Sequence, residues 1–136
     1  MTYVSGELRQ LVIERAGNQC EYCHFPQNAS LLAFEMEHII AEKHEGLTKA
    51  TNLALACPFC NRAKGTDLGS IDKVTGQLTL FFNSRTQLWQ EHFQVVGAEI
   101  IPLTPEARVT VTILRFNHPD RLREREQLQR AGQSLE

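Results

Sequence analysis

The run Cys57-Pro58-Phe59-Cys60-Asn61-Arg62-Ala63-Lys64 repeats the two-residue gap of Cys20-Glu21-Tyr22-Cys23, with 33 residues between the pairs. The chain has four cysteines and all of them lie in these two turns. A Cys-x-x-Cys turn presents two thiolates to one side of a metal, and a second turn completes a tetrahedral shell at about 2.3 Å. Buried free thiols, a redox dithiol and an iron–sulfur centre are the competing readings. Two separated knuckles in a small core fit a structural zinc staple better than any of these. Four cysteine ligands also close the shell, so any chemistry must lie elsewhere.

Working outward, Leu8, Leu11, Val12, Arg15 and Ala16 recur at helical spacing. They predict a helix over about 5–16, with Ser5 as its N-cap and Gly17 ending it. Residues 31–37 alternate Phe34 and Met36 against Glu35 and Glu37, a short strand by period. The polar stretch 41–51 reads as a loop, and Leu53–Ala56 as a second strand leading into the second knuckle. Asn61-Arg62-Ala63-Lys64 then opens a short helix ended by Gly65 or Gly69.

Further on, Thr75-Gly76 predicts a turn before a strand over Leu78–Phe82. Leu88, Trp89, His92 and Phe93 have helix-face spacing, and Ala98–Leu103 reads as a strand ended or edged by Pro102. Thr104-Pro105-Glu106 resembles a helix start, yet Val109, Val111 and Ile113 alternate like a strand, so that segment stays ambiguous. Pro119–Ala131 predicts a charged helix whose apolar contacts are Leu122 and Leu128. Its arginines Arg121, Arg123, Arg125 and Arg130 interleave with Glu124 and Glu126, the pattern of a solvated face. The terminal Leu135-Glu136 is either native or a cloning remnant and is given no role.

The length, 136 residues, points to one domain, and no signal peptide or membrane span is legible, which makes a reducing cytoplasm the expected compartment. Sixteen acidic residues against 14 basic ones argue against a non-specific nucleic-acid coat. They do not exclude local phosphate contact. Part of the acidity belongs to metal sites, and affinity would then rest on a few salt-sensitive contacts.

Between the knuckles lie Glu37-His38, Asn52 and Asn61, with Asn52 14 and Asn61 23 positions after His38. With the interlocked cysteines, this arrangement over about residues 18–68 resembles the HNH endonucleases. A weaker likeness to bacterial, and especially cyanobacterial, members continues through Ile71-Asp72, Thr75-Gly76, Phe81-Phe82-Asn83-Ser84-Arg85, Trp89 and His92-Phe93. The resemblance implies an α+β chain: a ββα-metal (His-Me finger) core with structural zinc, plus a small C-terminal α+β extension over 69–132. It implies one nuclease domain over 1–136.

By the same resemblance, His38 would be the base that activates water, and Asn52 would fix the loop and the orientation of His38. Glu37 and Asn61 would hold a catalytic divalent ion. Their oxygen donors suit Mg²⁺ or Mn²⁺, and the amide of Asn61 where many relatives have histidine strengthens that preference. Arg62 and Lys64, expected near the positive end of the helix, would hold the phosphate backbone, with Arg85 a further candidate. His24 and His44 are weaker candidates for substrate contact, whereas Trp89, His92 and Phe93 belong to the second-half core. The implied activity is metal-dependent hydrolysis of DNA, one strand per site, with a homodimer or partner subunit needed for double-strand cleavage. A zinc-stapled nucleic-acid-binding or structural module without turnover is the alternative, and cleavage of RNA or another phosphodiester a narrower one.

Overall fold

The structure is a computed structural model and describes residues 3–135. Helix α1 (Gly6–Arg15) begins where the sequence places it: the Ser5 hydroxyl accepts from the Leu8 N–H, and Gly17 leaves the helix at φ 66°. Strands β1 (Glu35–His38) and β2 (Leu53–Ala56) pair antiparallel, with Glu37 opposite Ala54 and His38 opposite Leu53. Helix α2 (Pro58–Lys64) follows β2 through Cys57, whose sulfur caps it by accepting from the Cys60 N–H. This is a ββα unit, α+β in class, and its first strand carries alternating faces: Glu37 turns inward while His38 stays half-buried.

Helix α2 therefore starts inside the knuckle, three residues earlier than its polar sequence suggests, because Pro58 is preorganised for a first helical position. Lys64 becomes its last residue instead of lying near its positive end.

β2 is buried throughout, and side chains satisfy its outer edge. Glu21 donates its backbone N–H to the Leu55 carbonyl and accepts from the Leu55 N–H through Oε2. Arg15 and Arg85 both donate to the Leu53 carbonyl, at 2.8 and 3.0 Å.

In the second half, β3 (Gly69–Ile71) pairs with β4 (Leu78–Leu80), and β5 (Phe93–Val96) pairs with β6 (Glu99–Pro102), both antiparallel. The helix-face spacing over 88–93 yields a single turn, α3 (Trp89–His92), before Phe93 opens a strand that this spacing conceals. Helix α4 (Pro105–Ile113) resolves the ambiguous segment: the Thr104 hydroxyl caps Ala107, and Pro105 fills the first position. The alternating valines of that segment sit on a helix. Helix α5 (Pro119–Arg130) closes the described chain together with buried Leu135, whose carbonyl lies 3.0 Å from His24 Nδ1. No described helix is long and apolar enough to cross a membrane.

The second half is fastened to the first by the residues of its weaker motif. Trp89 donates its indole N–H to the Tyr22 carbonyl at 2.8 Å and stacks on His24 at 3.9 Å between ring centroids. Asp72 takes a two-pronged pair from Arg108, which ties the β3–β4 hairpin to α4. Arg108 is the partner that holds the Asp72 carboxyl well below the usual carboxylate range.

Candidate metal centre and active site

The two knuckles converge. All four sulfurs lie within 4.8 Å of one another, fully surrounded by protein apart from a 5% exposure of Cys57. Tetrahedral zinc–thiolate bonds of about 2.3 Å require sulfurs about 3.8 Å apart. Cys23 and Cys57 lie 3.8 Å apart. The donor set therefore fits zinc in size and chemistry, and among the described residues it is the one group of three or more His, Cys, Asp or Glu side chains close enough together to hold a metal.

A cation reaches this centre from the far end of the chain. Arg121 of α5 donates through Nη2 to Cys60 Sγ at 3.2 Å and Cys57 Sγ at 3.6 Å. Through Nη1 it donates to the Leu114 carbonyl at 2.9 Å, and its guanidinium lies over the Phe59 ring at 4.4 Å. Burial works against its charge, but Cys23, Cys60 and Cys57 outweigh that cost and keep its pKa above the ordinary arginine value. Arg125, 1% exposed, is spent on the carbonyls of Ala98 and Phe116 and on Asn117 Oδ1. The expectation of a solvated arginine face on α5 is thus corrected at two positions. Interleaved charge signals solvent only when the partners of the arginines are their neighbours in sequence, and here the partners are cysteines and carbonyls elsewhere in the chain.

Beside the metal centre, β1 and α2 bring Glu37, His38, Asn61 and Arg62 onto one ββα unit. Glu37 is 4% exposed, and both its oxygens are engaged: Lys64 Nζ donates to Oε1 at 2.7 Å, and the Tyr22 hydroxyl donates to Oε2 at 2.8 Å. Burial pushes the Glu37 carboxyl up and outweighs the opposing pull of Lys64 and Tyr22. Lys64, expected to face a phosphate, is 2% exposed, and its ammonium also donates to the carbonyls of Ile39 and His38. Helix geometry explains this. Position 64 lies on the inner side of α2, whereas Arg62 is exposed and no ion pair or hydrogen bond among the described residues holds it. Arg85 is likewise engaged internally, donating to Glu21 at 2.5 Å and to the Leu53 carbonyl.

His38 Nε2 lies 2.8 Å from the Thr48 hydroxyl. Asn52, 7% exposed, donates through Nδ2 to the carbonyls of Ile40 and Leu47 and accepts from the Ile40 N–H. It therefore pins both ends of the loop that carries Thr48. The same loop folds back so close to Ile40, just past β1, that a Cβ on Gly46 would lie 1.7 Å from the Ile40 carbonyl oxygen. The Asn61 side chain has no hydrogen-bond partner among the described residues. His24 is packed on Trp89, and His44 Nε2 lies 3.1 Å from the Thr66 carbonyl. Tyr22, Thr48 and Arg121 were not legible as site residues.

Residues 20–67 match the family model described as HNH endonuclease, a stretch running from the first knuckle to just past α2. Comparison with curated proteins and with solved structures returned no match. This matched segment, with its ββα unit and four-cysteine cluster, is similar to an HNH endonuclease domain.

Proposed function

We propose that the protein is a metal-dependent endonuclease that hydrolyses DNA phosphodiesters, with His38 as the general base. The observation that carries this is the position of His38 on β1, inside the segment that matches the nuclease family and in reach of a hydroxyl that orients its ring. When Nε2–H donates to Thr48, the Nδ1 lone pair is left to take a proton from water, and a neutral imidazole does this at physiological pH. Asn52 is the positioning residue: by fixing the carbonyls on both sides of the loop it fixes Thr48, and through Thr48 the ring.

Asn61 and Glu37 would hold a divalent ion. An amide oxygen without a partner and a carboxylate are hard donors of the kind Mg²⁺ or Mn²⁺ takes, and Glu37 would have to share with the ion an oxygen now held by Lys64 or Tyr22. Such an ion supplies polarisation of the phosphate and stabilisation of the departing 3′ oxygen. The Glu37 carboxylate is shared with Lys64, so that ammonium already offsets part of the charge an ion would meet. Arg62 serves the phosphate backbone, while Lys64 and Arg85 act from inside the fold. Residues 1–136 act as one nuclease domain in a reducing, cytoplasmic setting, and double-strand cleavage needs a second copy or a partner subunit.

A plasmid cleavage assay over a Mg²⁺ and Mn²⁺ series tests this. Wild-type protein should nick the DNA, and His38→Ala should keep its zinc and its melting curve while losing about 10²–10⁴-fold in rate. Absence of cleavage of single- and double-stranded DNA by the zinc-loaded protein would favour a binding module, and cleavage confined to RNA would redirect the substrate.

A further inference from the structure

We propose that Arg121 is an outer-shell ligand of the zinc centre: it holds Cys57 and Cys60 as metal-bound thiolates and makes the C-terminal helix part of the metal site. The proposal rests on zinc filling the four-cysteine cluster and is independent of whether the protein cuts DNA.

Three observations carry it. The contacts are directed, since one guanidinium nitrogen addresses the two sulfurs of the second knuckle while the other is anchored on the Leu114 carbonyl. The contacts are also asymmetric. Within the first knuckle, Cys20 Sγ receives a backbone N–H from Cys23 at 3.5 Å, and among the described residues no arginine donates to Cys20 or Cys23. Finally, Arg121 stands where the centre is most open. Cys57 is the one ligand with measurable exposure, and it lines a cavity of about 200 Å³ together with Phe25, Phe34, Phe59 and Arg121.

Four thiolates around one divalent ion carry a net charge of about −2. An arginine hydrogen-bonded to two of them draws electron density from those sulfurs and lowers their tendency to leave with a competing metal acceptor. Outer-shell partners of this kind change metal affinity by about 10–100-fold. A helix that begins about 60 residues after the last ligand thereby reports on the metal, because losing the ion removes the anions that hold Arg121.

Zinc release to a chromogenic chelator, measured on the full-length protein, tests this. Arg121→Met should release zinc about 10–100-fold faster than wild type, and Arg121→Lys, which keeps a charge, should fall between them. Cobalt-loaded protein supplies a readout that helix docking alone does not move. The sulfur-to-cobalt charge-transfer band should shift to lower energy in Arg121→Met and lie nearer its wild-type position in Arg121→Lys. Arg125→Met, which removes the other buried arginine of α5 without touching a sulfur, is the control. An unchanged release rate and cobalt band in Arg121→Met would overturn the proposal. So would an Arg125→Met variant that releases zinc as fast and shifts the band equally. Should Arg121→Met fail to fold, the band and release rate of Arg121→Lys decide the same question, and wild-type values for both would count against it.

Discussion

Helix α2 has a buried cation at each end, and the two ends differ in where the cation comes from. At its start, Cys57 and Cys60 meet Arg121, which arrives from α5, 61 positions after Cys60. At its finish, Lys64 reaches Glu37 from within the same ββα unit. Both cations neutralise anions that water cannot reach, a situation that is stable only while the pairing is intact. The zinc end depends on the whole chain, whereas the Glu37 end is assembled inside the segment that matches the nuclease family.

The largest break in this comparison comes from the metal. Zinc binding by small domains is worth about 10–16 kcal/mol, comparable to the whole stability of a domain. Exhaustive chelation, or Cys60→Ser, should therefore unfold the ββα unit, with loss of its circular dichroism and of the Tyr22–Glu37 contact. If the Glu37 end keeps its structure after chelation, the two ends are independent.

Next in size is Lys64→Met, which leaves the Glu37 carboxylate buried without its cation and should cost about 3–5 kcal/mol in denaturant unfolding. Adding Glu37→Gln should recover part of that loss. Mg²⁺ should raise the melting temperature of Lys64→Met more than that of wild type if Glu37 is a divalent-ion donor. Equal responses would separate the carboxylate from the metal.

Asn52→Ala should cost about 1–3 kcal/mol, since it strips the half-buried backbone groups of Ile40 and Leu47 of their partner. It should lower turnover more than substrate binding, because Thr48 loses its fixed position. The smallest effect belongs to the Asp72–Arg108 pair, whose arginine is partly open to solvent. With its folded pKa depressed, Asp72 contributes stability above the ordinary aspartate pKa of about 3.9 and loses it as pH falls further. The melting temperatures of wild type and Asp72→Asn should accordingly converge in acid.

Local signals explain what was legible. The cysteine spacing located the metal centre, Ser5 and Gly17 bounded α1, and the alternation at Phe34–Glu37 located β1, one to four residues early at its start. Capping and period act over a few residues, so they can be read in order along the chain. The pairings of Arg121 with sulfur, Lys64 with Glu37 and Arg85 with the edge of β2 join positions that only the folded chain brings together. A charged side chain gives no sequence signal of whether its counter-ion is water, a neighbour or a distant anion. That is why Lys64 and Arg85 looked available for phosphate, and why the short strand Phe93–Val96 was hidden behind a helical spacing that lasts one turn.

The outer edge of β2 has one more consequence. Its outward carbonyls at Leu53 and Leu55 and the N–H of Leu55 are already taken by Arg15, Arg85 and Glu21. An extended peptide approaching from that side finds no free ladder to join, so the sheet that carries His38 cannot grow by strand addition there. A second copy of the protein, or any other partner, would therefore have to meet this sheet through a surface other than the outer edge of β2.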